Sequence, residues 1–100
     1  YMAKAKSSTK TKTEINFPER YNVIMFNDDF TPMDFVIQLL VEVFNRSLEE
    51  AKTVTVNIHN EGQGIAGTYN YEIAEQKLSE ALTITRYNSH PLKITMEKMS

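Results

Sequence analysis

The stretch Asn27-Asp28-Asp29-Phe30-Thr31-Pro32-Met33 decides how this chain folds, because it separates a hydrophobic run from an abrupt helix start. The run from Tyr21 to Phe26 is bounded by turn residues and predicts a strand. Thr31, Pro32 and Asp34 predict an N-cap, a proline at the first helical position and a capping box. Residues 27–32, termed the elbow below, thus carry side-chain acceptors between a strand and a helix, an arrangement that suits a small cationic group.

Three helices are predicted from Pro32 onward. The first runs from Pro32 to about Asn45, the second opens at the capping box Ser47-Leu48-Glu49-Glu50 and stops at Gly62, and the third runs from Tyr71 to Ser89 before Pro91. Helical spacing defines the faces expected to be buried: Phe35, Val36, Leu39, Leu40 and Val43 in the first helix; Leu48, Ala51, Thr55 and Ile58 in the second; Ile73, Ala74, Leu78, Ala81 and Leu82 in the third.

Two further strands complete the pattern. Ile65 to Tyr69 is short and rich in strand-forming residues, and Leu92, Ile94 and Met96 alternate with polar residues. The predicted order is β-α-α-β-α-β. It indicates an α+β sandwich in which a three-stranded antiparallel sheet packs against three helices.

Charge is unevenly distributed along the 100 residues. Lys4, Lys6, Lys10 and Lys12 precede the first acidic residue, Glu14, and from Glu14 onward seven basic residues face thirteen acidic ones. The length supports one domain, so we expect a flexible basic arm at residues 1–19 and a folded core at residues 20–100. A core this acidic argues against a nucleic-acid surface.

The sequence disfavours several kinds of site. No cysteine is present, and no apolar run is long enough to span a membrane or to form a secretory signal, so a cytoplasmic location is expected. Gly62-Gln63-Gly64-Ile65-Ala66-Gly67 has the spacing of a dinucleotide fingerprint but leads into a strand instead of a helix. The elbow begins like a calcium loop, yet Pro32 stands where that loop needs glycine, and the two histidines lack zinc-site spacing. We therefore expect no metal, no cofactor and no catalytic residue.

Asn27, Asp28 and His59, close to apolar Met33 and Ile58, fit two interpretations. Asn and Asp are common in turns, where they bond to nearby backbone, and a single His on a helix commonly packs or caps. Alternatively, the three polar side chains form a binding site beside Met33, Val36 and Ile58, in keeping with the small cationic group that suits the elbow.

From Tyr21 to Met99 the chain resembles the ClpS family, the adaptors that deliver N-degron substrates to the ATP-dependent Clp protease. The segment from Asn27 to Val36 is similar to the family signature N-D-D-[YF]-T-P-M-[ED]-F-V. Further blocks follow in the family's order and spacing: Ile58-His59, Gly67-x-Tyr69, Glu72-Ile73-Ala74-Glu75-x-Lys77 and His90-Pro91-Leu92.

The resemblance implies a non-enzymatic adaptor that binds the free N-terminal residue of a substrate when that residue is Leu, Phe, Tyr or Trp. It implies that Asn27, Asp28 and His59 bind the α-amino group, while Asp29 and Pro32 support the elbow. The implied side-chain pocket is lined by Met25, Thr31, Met33, Val36, Thr55, Ile58 and Leu92. Thr55 stands where the family commonly carries methionine, which predicts a wider or more polar pocket and an altered ranking of first residues.

The resemblance also implies partners. These are N-degron peptides and proteins, and an AAA+ unfoldase of the ClpA or ClpC type that is contacted through Glu72 and Lys77 and engaged by the arm during delivery. We expect a bacterial cytoplasmic protein, with a plastid homologue as the less favoured alternative, and a monomeric core that binds neither nucleic acid nor membrane. Tyr1 precedes Met2 and is itself a ligand of the expected type, so we predict that it can enter a neighbour's pocket.

Two other functions stay open. A domain resembling the C-terminal module of the ribosomal stalk would have no use for free amines. A hydrolase using Asp28 and His59 would show turnover with a bell-shaped pH dependence.

Overall fold

The computed structural model describes residues 19–99. The predicted arm, apart from Glu19, lies outside the described residues, and so does Tyr1 with its predicted contact. Six elements follow one another: β1 (Tyr21–Phe26), α1 (Met33–Glu42), α2 (Leu48–Glu61), β2 (Gln63–Tyr69), α3 (Tyr71–Tyr87) and β3 (Lys93–Lys98). The order and the antiparallel pairing confirm the predicted α+β fold.

β1 is the central strand of the sheet, with β2 on one side and β3 on the other. Val23 and Met25 in β1 are completely buried, since α3 packs against all three strands. α2 packs against β2, and α1 packs against α2. The elbow therefore continues directly from the strand that is paired on both sides.

The pairing of β1 with β2 contains a bulge, and the extra residue, Ala66, is hydrogen-bonded outside the sheet. The register skips Ala66 between the pairs Val23–Gly67 and Ile24–Ile65. Arg46 Nε, from the connection between α1 and α2, donates to the Ala66 carbonyl oxygen at 2.8 Å. This hydrogen bond fixes that connection to the edge strand.

The start of α1 differs from the prediction. The helix begins at Met33 with Pro32 as its N-cap, and no side chain caps it, so the predicted Thr31 cap and the Asp34 capping box are wrong. The Thr31 hydroxyl instead donates to Asp28 Oδ2 at 2.8 Å. The residue expected to cap the helix therefore closes the turn before it.

α1 ends at Glu42, before the predicted boundary near Asn45. Asn45 has a φ of 57°, and this left-handed conformation ends helices. The amide of Arg46 then donates back to the Leu40 carbonyl oxygen at 3.1 Å.

Lys77 in α3 covers the same end of α1. Its ammonium group donates to the Val43 carbonyl oxygen at 2.7 Å and to Asn45 Oδ1 at 2.9 Å. A cation is favourable there because the last carbonyls of a helix carry the negative end of its dipole. Lys77 thus joins α3 to the end of α1.

The capping box of α2 is confirmed. Ser47 and Glu50 exchange side-chain to backbone hydrogen bonds at 3.1 Å in both directions, and Gly62 ends the helix with a φ of 90°. Ala51, Thr55 and Ile58 are buried as predicted, but Leu48 is 55% exposed. The prediction for Leu48 is wrong because this first helical residue precedes the part of α2 that faces the core.

The bounds of α3 and β2 also shift. Ser89 has a φ of 58°, and α3 stops at Tyr87 rather than at Ser89. Ile73, in the exposed first turn of α3, is 39% exposed, so its predicted place in the core is wrong. β2 starts at Gln63, two residues earlier than predicted, because Gln63 and Gly64 already pair with β1.

Candidate functional site

A narrow cavity lies where the elbow, α1, α2 and the residue before β3 meet. Its lining residues are Phe26, Asn27, Asp28, Thr31, Met33, Val36, Thr55, Ile58, His59 and Leu92. The cavity volume is about 20 Å³, or about 270 Å³ with the open mouth included. The smaller volume is room for about one water molecule, and the larger is below the roughly 300 Å³ at which sites for drug-sized ligands begin. The cavity therefore suits a single side chain rather than a larger ligand.

A backbone hydrogen bond brings the polar lining residues together. The amide of Asn27 donates to the Gly62 carbonyl oxygen at 2.9 Å. Gly62 is the left-handed cap of α2, and His59 lies in the last turn of that helix. Two residues far apart in the sequence, Asn27 and His59, consequently line one cavity.

The Asp28 carboxylate organises the elbow. Its Oδ1 accepts from the amides of Phe30 at 2.7 Å and Thr31 at 2.8 Å, and its Oδ2 accepts from the Thr31 hydroxyl at 2.8 Å. Burial acts to raise the pKa of Asp28, but these hydrogen bonds and the attraction of His90 together lower it below the usual value of 3.8. A carboxylate has about four acceptor sites, so Oδ2 retains one for a ligand.

The apolar wall is formed by well-packed side chains. Val36, Ile58 and Leu92 are at most 5% exposed, whereas Met33 is 46% exposed at the mouth. Gly64 in β2 makes room for Ile58, because a Cβ at position 64 would lie 2.7 Å from Ile58 Cγ1. The position of this wall thus depends on a glycine that does not itself line the cavity.

Thr55 lines the cavity without offering it a free hydroxyl. The residue is 3% exposed, and its Oγ1 donates to the Ala51 carbonyl oxygen in the preceding turn at 2.7 Å. This hydrogen bond argues against the more polar pocket predicted for this position, and the wider pocket stays a prediction.

The structure brings most of the predicted site residues together. Of the ten residues predicted for amine binding or for the side-chain pocket, nine line the cavity, and Met25 does not, being completely buried in the core. Phe26 also lines it and was not predicted, although its position directly before Asn27 was a signal for it. Asp29 is exposed beside the cavity lining, and Pro32 caps α1.

Glu72 and Lys77 lie apart from the cavity, on α3. Glu72 is exposed in the first turn of the helix. Lys77 is half-buried through its contacts with the end of α1, so it is not the freely solvated charge that its helical position alone suggests.

The described part of the chain contains no group of three or more His, Asp or Glu side chains placed to hold a metal ion. Within residues 19–99, no helix is both long enough and apolar enough to cross a membrane.

The match to known proteins agrees with this geometry. Residues 16–95 match the family model described as ATP-dependent Clp protease adaptor protein ClpS. The chain belongs to the ClpS family. ClpS proteins are adaptors of the Clp protease, so the chain is an adaptor and not an enzyme. Neither the hydrolase nor the stalk-like alternative is favoured by this membership.

Individual ClpS relatives match over most of their length. The chain is 43% identical to the ClpS adapter of Desulforapulum autotrophicum over 95 residues, which cover 95% of this chain and 91% of the relative. It is 44% identical to the ClpS adapter of Vibrio atlanticus, with 90% of this chain and 85% of the relative covered.

A solved ClpS structure shares the fold. It is Agrobacterium tumefaciens ClpS2 bound to L-phenylalaninamide, with a TM-score of 0.79 and 32% identity, covering 83% of this chain and all of that chain. The ligand of that protein has a free α-amino group and an aromatic side chain.

Proposed function

We propose that this ClpS protein binds the free N-terminal residue of N-degron substrates, when that residue is Leu, Phe, Tyr or Trp, and delivers them in the cytoplasm to a ClpA- or ClpC-type AAA+ unfoldase. The observation that carries the proposal is the composition of one cavity. Asn27, Asp28 and His59 line it together with apolar Val36, Ile58 and Leu92. An α-amino group and the side chain attached to the same carbon can then be bound at once.

The polar wall supports recognition of the amine. A free α-amino group has a pKa of about 7.7 to 8.0, so at neutral pH it is mostly an ammonium with three N–H donors. Oδ2 of Asp28, the Asn27 side-chain oxygen and an unprotonated His59 nitrogen can accept one hydrogen bond each. Hydrogen bonds to charged groups contribute about 1.5 to 3 kcal/mol. An acetylated terminus offers no cation and should lose most of this contribution.

The apolar wall supports recognition of a large hydrophobic side chain. Full burial of Leu or Phe contributes about 1.5 to 3 kcal/mol. Met33, a flexible side chain that is 46% exposed at the mouth of the cavity, can move to make room for such a side chain. After the cost of association, we expect micromolar affinity.

For delivery, we propose that α3 contacts the unfoldase through Glu72 and Lys77. Glu72 is exposed and free to meet a partner's cation. Lys77 has three N–H donors, of which two are used at the end of α1, so it fixes the shape of this surface while one donor remains for the partner.

Fluorescence anisotropy with labelled peptides tests the proposal. Peptides that begin with Leu, Phe, Tyr or Trp should bind, and the same peptides with an acetylated N-terminus should not. Asp28→Asn should weaken binding of the free peptides at least tenfold, whereas Asp34→Asn, which removes an exposed carboxylate outside the cavity lining, should change it little. Equal binding of free and acetylated peptides would overturn the proposal.

A further inference from the structure

We propose that Phe30 forms a subsite for the second residue of the bound substrate and favours an apolar side chain there. This inference rests on the proposed function, because it needs the first residue to lie in the cavity. It adds a second position at which the adaptor selects its substrates.

Phe30 is an apolar side chain held at an exposed place. It is 80% exposed, although an aromatic side chain gains most from burial. Its backbone is nevertheless fixed, since its amide donates to Asp28 Oδ1 at 2.7 Å and the next amide, that of Thr31, donates to the same oxygen at 2.8 Å. The ring therefore projects from a backbone whose position is set by Asp28.

Asp28 also sets the position of the ligand. If the ammonium group binds Asp28 Oδ2, standard bond lengths place the Cα of the second ligand residue no more than about 8 Å from this carboxylate. The Phe30 amide lies 2.7 Å from the other oxygen of the same carboxylate. The second residue and Phe30 are thus held at the two oxygens of one carboxylate, so that the Phe30 ring and the side chain of the second residue can be brought into contact.

The exposed Phe30 ring favours an apolar side chain at the second position of the substrate. Contact with the Phe30 ring would remove apolar surface of both partners from water. Burial of a few tens of Å² of apolar surface in this contact corresponds to a factor of about two to ten in affinity. A glycine at the second position has no side chain and gains nothing from the ring.

The test compares three probes on the wild-type protein and on Phe30→Ala. L-Phenylalaninamide has no second residue, and two peptides that begin Phe-Gly and Phe-Leu differ only at that residue. The wild type should bind Phe-Leu about two- to tenfold more tightly than Phe-Gly. Phe30→Ala should abolish this difference and leave the affinity for phenylalaninamide unchanged, since alanine retains the backbone amide.

Leu48→Ala is the matched control. Leu48 is an exposed apolar residue at the end of α2 opposite to His59, and its replacement should preserve the preference for Phe-Leu. If phenylalaninamide binds but the wild type does not distinguish the two peptides, or if Phe30→Ala keeps the preference, the inference is overturned while the proposed function stands. If phenylalaninamide and both peptides fail to bind, the proposed function is overturned, and this inference with it.

Discussion

The amide of Asn27 donates to the carbonyl oxygen of Gly62 at 2.9 Å, so that the end of β1 is joined to the end of α2. The hydrogen bond links the two segments that carry the polar wall of the cavity. The acceptor set is thus built on the ends of two packed elements and does not depend on a long loop. Such a site is largely formed before a ligand arrives, which reduces the entropy lost on binding.

The hydrogen bonds of Asp28 predict how stability depends on pH. Its pKa is lowered in the folded protein, so the unfolded chain binds more protons in the acidic range and stability rises with pH there. This contribution is complete above the unfolded value near 3.8 and is lost as the pH falls through the lower folded pKa. Urea unfolding of the wild type and Asp28→Asn between pH 2.5 and 6 should converge at the acidic end. Parallel curves at every pH would contradict the expectation.

Gly64→Ala should distort the cavity although Gly64 does not line it. The new Cβ would lie 2.7 Å from Ile58 Cγ1, so Ile58 must move, and overpacking of this kind costs about 1 to 3 kcal/mol. We expect a lower free energy of unfolding together with weaker binding of Leu- and Phe-initiated peptides.

Ala81→Gly is the control for that variant. Ala81 lies inside α3 and does not line the cavity, and a glycine within a helix costs about 1 kcal/mol relative to alanine. The folded variant should keep its peptide affinity. Equal loss of affinity in both variants would exclude a specific role for the contact with Ile58.

Thr55→Met should change the ranking of first residues. The longer side chain would take space from a cavity whose volume is only about 20 Å³, so Trp and Phe peptides should weaken more than Leu peptides. Thr55→Val retains the shape and removes a hydroxyl that already donates to Ala51, so it should leave the ranking unchanged. Anisotropy titrations of all three proteins would contradict this view if Thr55→Met and the wild type ranked the peptides identically.

Variants of Lys77 and Glu72 should distinguish an effect on stability from an effect on partner binding. Lys77→Met removes two charge-assisted hydrogen bonds to the end of α1 and should lower the free energy of unfolding by about 1 to 3 kcal/mol. Glu72→Gln, at an exposed position, should change it by less than about 0.5 kcal/mol. Both variants should weaken binding to the N-terminal domain of the unfoldase. Unchanged binding by Glu72→Gln would remove that residue from the proposed surface.

Thr85→Val should stabilise the protein. Thr85 is 1% exposed, and its Oγ1 has no hydrogen-bond partner within the described part of the chain. A buried hydroxyl without a partner costs about 1 to 3 kcal/mol, and valine has nearly the same shape. The matched comparison is Thr55→Val, which removes a hydroxyl that has a partner and should cost about 1 kcal/mol. Thermal unfolding should therefore shift in opposite directions for the two variants.

Most of the fold could be predicted from the sequence, because hydrophobic periodicity and capping depend on residues that are close together in the chain. Ser47 and Gly62 mark the ends of α2 correctly for that reason. The Thr31 cap is absent because the Thr31 hydroxyl is directed toward Asp28, to which it donates, and accepts from no amide at the start of α1. A sequence pattern shows which hydrogen-bond partners a side chain could have, but not which of them it contacts.

The site was harder to predict from residue types alone. Asn27 and His59 line one cavity because Asn27 contacts Gly62, a contact that joins segments more than 30 residues apart. The residue types alone left two interpretations open for them, and the resemblance to ClpS favoured the binding site. The sequence indicates only a surface charge at Lys77, because its partners, Val43 and Asn45, lie just after α1 and more than 30 residues away in the sequence. The resemblance implied that Met25 lines the pocket, but Met25 is completely buried in the core and does not line the cavity.

The central position of β1 has a consequence for experiments on dynamics. Val23 and Met25 are buried inside this strand and cannot detach from their neighbours unless the strand loses partners on both sides, so their amide protons should exchange with deuterated water only when the whole domain opens. A ligand that binds the cavity would then slow exchange throughout the protein, and a measurement at these two amides would report the affinity of any peptide without a label.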